Sequence, residues 1–130
     1  MTLLHTLIAI PLVAAALTIA CTSRRLRAVE MIGVAGSVLA FLFAGYGFLH
    51  GVHTWEHAGL LSPDAFGMLL TLCITFVGSA AAIYSVGYLR VEREKGIVSA
   101  RRTVQFWALF HLFIFAMLLS VMTRYPIIAW

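Results

Sequence analysis

Charged residues divide this chain into four long apolar stretches. No Lys, Arg, Asp or Glu occurs within 2–23, 31–55, 65–89 or 103–123. An α-helix rises about 1.5 Å per residue, so each stretch can cross a hydrocarbon layer of about 30 Å. The pattern predicts an all-α integral membrane protein that forms a single membrane domain over 1–130, with short loops between its helices. The predicted transmembrane helices lie at about 2–22, 30–50, 63–89 and 104–123, and a stub at 126–130 resembles the start of a fifth.

Composition and charge placement support this interpretation. The chain is 62% hydrophobic and 11% charged, whereas roughly a quarter of the residues in a soluble domain are charged. Its basic residues fall mainly into two groups, at 24–27 and 90–102, and the gap between the second and third stretches has none. The positive-inside rule therefore places both groups in the cytoplasm and the N-terminus outside. The net charge of +4 then reflects topology, and we expect lipid contacts but no nucleic-acid binding.

The third span has the clearest start signal. Ser62, Pro63 and Asp64 are typical of an N-cap serine, a proline at the first helical position and an acid at the second. Asp64 is therefore interpreted as a capping residue, and a direct role in proton transfer is the alternative.

Small and hydroxyl-bearing residues recur at helical spacing. Residues four apart share one face of a helix, and small pairs there let two helices approach closely. Such pairs are Gly33 with Ser37, Gly47 with Gly51, and Gly78 with Ala82. A polar stripe on the third span consists of Thr71, Thr75 and Ser79. Helix packing explains the stripe, and the alternative is a wetted proton path, which needs an ionisable partner.

No carboxylate or lysine lies near the middle of a predicted span, so histidines are the titratable candidates within the membrane. His111 lies in the fourth span and is expected to make an interhelical hydrogen bond, with a proton relay as the alternative. His50, His53 and His57 would share a face if the second helix continued, but their loose spacing makes them weak metal candidates. His5 and His50 suggest an alternative function, a small haem b-binding membrane anchor of an electron-transfer complex. Otherwise no metal or cofactor is expected on this chain.

The third and fourth spans carry a more specific pattern. The third opens with Asp64-Ala65-Phe66 and closes with Tyr84, Ser85, Gly87 and Tyr88, and Phe106 opens the next helix after a charged loop. This order resembles the N-terminal part of the antiporter-like membrane subunits of respiratory complex I, Mrp-type antiporters and group 4 membrane-bound hydrogenases. The hydrogenase-4 type is the most similar. The resemblance covers Asp64 to Val121, about half of the chain.

The resemblance implies a membrane subunit of a redox-driven ion-pumping complex. Such a subunit would have no catalytic site of its own, would assemble with other membrane subunits, and would support ion translocation. The family's proton-handling glutamate and lysines lie on later helices, so none of them corresponds to a residue here. His111 stands where the family commonly has Asn, and Arg124 where Asp is common. We therefore expect either a fragment of an antiporter-like subunit or a short subunit completed by another polypeptide.

Overall fold

The computed structural model describes residues 3–21, 25–50 and 64–123. These residues form four α-helices and no strand, and each helix is long and apolar enough to cross a membrane. The helices are α1 (Leu3–Ala20), α2 (Leu26–His50), α3 (Ala65–Glu94) and α4 (Ala100–Met122). The prediction of four apolar helices is confirmed. The stub at 126–130 lies outside the described residues, as do His53, His57, Gly51 and Arg124.

Three of the helices continue past the charge-free stretches. α2 begins at Leu26, α3 runs to Glu94 and α4 begins at Ala100, because hydrogen bonding along a helix does not stop where charged side chains begin. Gly96 in the α3–α4 turn has a φ of 73°, a backbone conformation that favours glycine. As a result, charged residues that the sequence places in loops belong to the ends of helices.

The helices pack antiparallel in a ring. α1 and α3 each pack against both α2 and α4. Across the ring, α2 lies closer to α4 than α1 lies to α3. One core cluster joins the start of α1 to the end of α4, and a second one contains Val29, Ala82, Leu89 and Trp107. The second cluster lies at what we call the basic end of the bundle, the end that carries Arg27, Arg90, Arg93, Arg101 and Arg102. Both basic groups of the sequence thus meet at one end.

The bundle turns apolar side chains outward and polar ones inward. Large apolar residues are exposed on all four helices, among them Leu12, Leu42, Phe76 and Leu109. Small residues and polar groups occupy much of the interior, and the buried polar residues are Thr18, Glu30, Ser37, Thr71, Thr75, Ser79, Thr103 and His111. A soluble protein rarely exposes so much apolar surface, whereas helices in a bilayer pack through small and polar residues. The described structure therefore suggests a multi-pass membrane protein.

Candidate functional site

An ion cluster built around a buried carboxylate lies at the basic end of the bundle. Glu30 on α2 is only 2% exposed. Its Oε2 accepts hydrogen bonds from Nε and Nη2 of Arg90 at 3.0 and 2.8 Å, and its Oε1 accepts one from Nη2 of Arg93 at 2.7 Å. Arg90 and Arg93 are three residues apart and thus share one face of α3. A single carboxylate therefore holds two guanidinium groups and ties α2 to α3.

The cluster also reaches α4. Nη1 of Arg93 lies 3.5 Å from Oγ1 of Thr103, a buried residue whose hydroxyl donates to the carbonyl oxygen of Ser99 at 3.3 Å. Burying a carboxylate is costly unless it is paired and hydrogen-bonded. Glu30 is tolerated here because guanidinium donors engage both of its oxygens.

Sequence reasoning missed this site. Histidines were the titratable candidates expected within the spans, and the structure adds Glu30, the fifth residue of α2, as a buried titratable group. Glu30 directly precedes a charge-free stretch, so the sequence places it at the boundary of the span. One signal was available: Glu30, Gly33 and Ser37 follow helical spacing, so they share one face with the predicted packing residues.

A polar cleft opens beside the ion cluster. It has a volume of about 740 Å³ and is lined by Arg27, Glu30, Arg90, Arg93 and Glu94. Three arginines face two glutamates, which leaves one excess positive charge on its walls. The cleft is therefore suited to an anion with a single charge.

His111 makes an interhelical contact with α2. Its side chain is buried, and Nε2 lies 3.1 Å from the carbonyl oxygen of Gly33. A Cβ at Gly33 would overlap the ring of Trp107, and one at Gly36 would lie 2.8 Å from Cβ of Ala14 and 3.2 Å from Cε1 of His111. These two glycines thus make room for the large side chains of α4 and for α1.

The predicted hydroxyl stripe lies in the α2–α3 interface. Ser79 Oγ donates to the carbonyl oxygens of Ser37 at 2.9 Å and Thr75 at 2.8 Å. Ser37 Oγ donates to the Gly33 carbonyl at 3.0 Å, and Thr75 Oγ1 to the Thr71 carbonyl at 2.8 Å. All these hydrogen bonds end on backbone carbonyl oxygens, which have no proton to pass on. The geometry favours helix packing over a proton relay.

Asp64 caps α3 at the opposite end of the bundle. Its Oδ1 accepts a hydrogen bond from the backbone N–H of Gly67 at 2.7 Å. Asp64 is itself the N-cap, so the expected serine cap at Ser62 is wrong. The physical reason is that the carboxylate lies three residues before a free helical N–H group, which is the usual geometry of an N-cap. Ser62 and Pro63 lie outside the described residues.

The other predicted packing residues contact α4. A Cβ at Gly78 would lie 2.9 Å from Cδ1 of Ile114. Ala82 is fully buried in the cluster that contains Trp107, and Phe106 packs partly buried against the same cluster. Gly78 and Ala82 therefore let α4 approach α3.

The closing motif of α3 faces away from the bundle. Tyr84 and Tyr88 are exposed, their rings stack with centroids 6.4 Å apart, and nothing lies within 4 Å of a Cβ added at Gly87. Ser85 donates to the carbonyl oxygen of Ala81 at 2.7 Å. The residues that carry the family resemblance at this point thus form an outer surface of α3.

The histidines suggested for haem or metal lie at exposed positions. His5 and His50 are both exposed, and the His50 ring lies 4.2 Å from that of Tyr46. Within 3–21, 25–50 and 64–123 no group of three or more His, Cys, Asp or Glu is placed to hold a metal ion.

The fold and the site together define a class: a four-helix bundle with an apolar exterior and, at one end, a buried glutamate paired with two arginines. Comparison with protein-family models, curated proteins and solved structures finds no match.

Proposed function

We propose that this chain is a non-catalytic membrane subunit of a complex I-like or hydrogenase-type oxidoreductase complex. It would lie in a bacterial inner membrane with its N-terminus outside, pack against other membrane subunits, and support ion translocation that those subunits perform. The resemblance of Asp64–Val121 to antiporter-like subunits motivates the assignment.

One observation carries the proposal: the family-like motif lies on an outer surface. Tyr84 and Tyr88 of the motif lie four residues apart and share one face of α3, and Val77 and Ala81, which are not part of the motif, extend that face as a stripe. Residues that serve only the chain's own fold would face inward, whereas these side chains are largely turned away from the bundle. Tyrosine is also enriched where helices cross the membrane surface, so the experiment must separate lipid contact from subunit contact.

A shallow groove beside this stripe offers a place for a neighbouring helix. It lies between α3 and α4 and has a volume of about 330 Å³. Its apolar walls include Val77 and Ala81 on α3 and Phe113 and Met117 on α4. Small residues on one wall and large residues on the other are suited to packing against another helix.

The interior supports a structural role. Thr75 and Ser79 of the hydroxyl stripe donate to backbone carbonyl oxygens, and the His111 ring contacts the carbonyl oxygen of Gly33. These groups stabilise contacts between helices, and their geometry provides no continuous series of proton donors and acceptors. Ion movement would then take place in the neighbouring subunits.

Native complex size tests the proposal. The tagged chain is extracted from its own membranes in mild detergent, separated on a native gel, and its companions are identified by mass spectrometry. We expect co-migration with other membrane subunits. Replacing both Tyr84 and Tyr88 by Ala should release the chain, whereas Tyr46→Ala, which changes an exposed tyrosine on α2, should not. A wild-type chain that migrates as a monomer would contradict the proposal, and equal release by Tyr46→Ala would contradict the assigned surface.

A further inference from the structure

A seam between α2 and α3 has charged residues at the basic end of the bundle and apolar residues along the rest of its length. Each helix contributes residues seven positions apart, which share one helical face. The seam consists of Arg27, Val34 and Phe41 on α2 and Arg90, Ile83 and Phe76 on α3. The helices are antiparallel, so the two arginines lie together at the basic end, and the rings of Phe41 and Phe76 meet further along with centroids 5.5 Å apart.

The seam is longer than the hydrocarbon part of one leaflet of a bilayer. Fourteen residues of helix separate each arginine from its phenylalanine, which is about 21 Å at ~1.5 Å per residue. Half of a hydrocarbon layer is about 15 Å thick. A lipid with its phosphate at the arginines would therefore lay most of an acyl chain along the apolar part of the seam.

The charges at the basic end of the seam favour the binding of an anion. Arg27 and Arg90 both line the polar cleft, whose walls have one excess positive charge. Arg90 donates to Glu30 from Nε and Nη2, yet its side chain is 53% exposed. The guanidinium thus has another edge available for an outside acceptor, as bidentate phosphate recognition requires.

We propose that this seam is a binding site for an anionic phospholipid. The phosphate diester, with its single negative charge, binds between Arg27 and Arg90, and an acyl chain lies against Val34, Ile83 and Phe76. A free phosphate would satisfy the arginines but not the apolar wall, where Ile83 and Phe76 are exposed. The inference depends on the bundle lying in a bilayer, as proposed above, but not on any partner subunit.

Lipid selectivity measured by spin-label spectroscopy tests the site. The full chain is reconstituted in phosphatidylcholine vesicles, and the association of spin-labelled phosphatidylglycerol is compared with that of spin-labelled phosphatidylcholine. We expect the wild type to prefer phosphatidylglycerol. Arg27→Gln should lower this preference about fivefold, which corresponds to about 1 kcal/mol for one basic residue near an anionic surface.

Matched variants separate this site from general charge at the basic end. Arg102→Gln removes the same charge from an exposed position on α4 and should leave the preference unchanged. Ile83→Trp fills the seam without changing charge and should reduce binding of both labelled lipids there. Leu109→Trp is its control, because Leu109 is 64% exposed on α4 and Ile83 is 59% exposed.

Each outcome decides the question. The seam is supported if Arg27→Gln lowers the preference for phosphatidylglycerol and Ile83→Trp lowers the binding of both labelled lipids, while their controls change neither. The absence of any preference in the wild type, or equal loss with Arg102→Gln, overturns it. Displacement of the labelled phosphatidylglycerol by inorganic phosphate shows that the arginines bind phosphate without the lipid chain, which also overturns it. Failure to insert in vesicles, seen by flotation, refutes the membrane assignment itself and is distinguishable from failure of the seam.

Discussion

Glu30→Gln is the perturbation that most directly tests the ion cluster. Glutamine keeps the length and shape of the side chain but removes its negative charge, and its amide N–H₂ group cannot accept a hydrogen bond. One of the two arginines then loses its acceptor. Arg93 is the more affected residue, because it is more buried than Arg90, whose side chain is 53% exposed and can turn towards water.

The expected cost is about 2 kcal/mol in the free energy of unfolding, the size of a hydrogen bond to a charged group, about 1.5–3 kcal/mol. Removing one partner of a fully buried ion pair costs about 3–5 kcal/mol, because the remaining charge stays buried without compensation. The cost here falls below that range, since Arg90 can relax into solvent and only Arg93 must remain near Thr103. A double-mutant cycle with Arg93→Gln should give a coupling free energy of about 1–3 kcal/mol, as expected for residues in direct contact.

Unfolding in mixed detergent micelles, followed by circular dichroism, measures this free energy. Glu94→Gln is the matched control: it makes the same chemical change at an exposed residue of the same cleft, where we expect a change within about 0.5 kcal/mol. If Glu30→Gln costs no more than Glu94→Gln, the cluster does not hold α2 and α3 together and the reasoning is refuted.

Three further predictions concern packing, the buried histidine and topology. Gly33→Ala should destabilise the bundle by about 1–3 kcal/mol, because its methyl group overlaps a buried indole. Gly87→Ala, where the added methyl group meets nothing, should be neutral or stabilising by up to about 1 kcal/mol. Equal effects of the two substitutions in the micelle assay would contradict the close packing at Gly33. His111→Asn removes the titratable group but keeps a hydrogen-bond donor. If the chain belongs to the proposed ion-pumping complex, proton translocation in inverted vesicles should be unchanged by this substitution, and a loss would indicate a relay. In a cysteine-free background, an impermeant thiol reagent added to whole cells should label Ala65→Cys but not Lys95→Cys; the opposite pattern would reverse the assigned orientation.

The sequence predicted the helices better than their ends. Four apolar stretches separated by charges indicate four helices because length and hydropathy suffice for that inference. The ends at the basic side were misplaced, since Arg90 and Arg93 look like loop residues but lie on the last turns of α3. Asp64 was correctly interpreted as a capping residue, but its exact position in the cap depended on backbone geometry.

The sequence by itself thus determined the class of this protein: an all-helical chain whose four segments are long and apolar enough to cross a membrane. Only the tertiary structure decided what lies between the helices. Glu30 finds its partners 60 and 63 residues away, and Gly33 matters because an indole from α4 occupies the space beside it. Hydropathy depends on each residue alone, whereas a buried ion pair or a close helix crossing depends on which residue from a distant part of the chain packs against a given position.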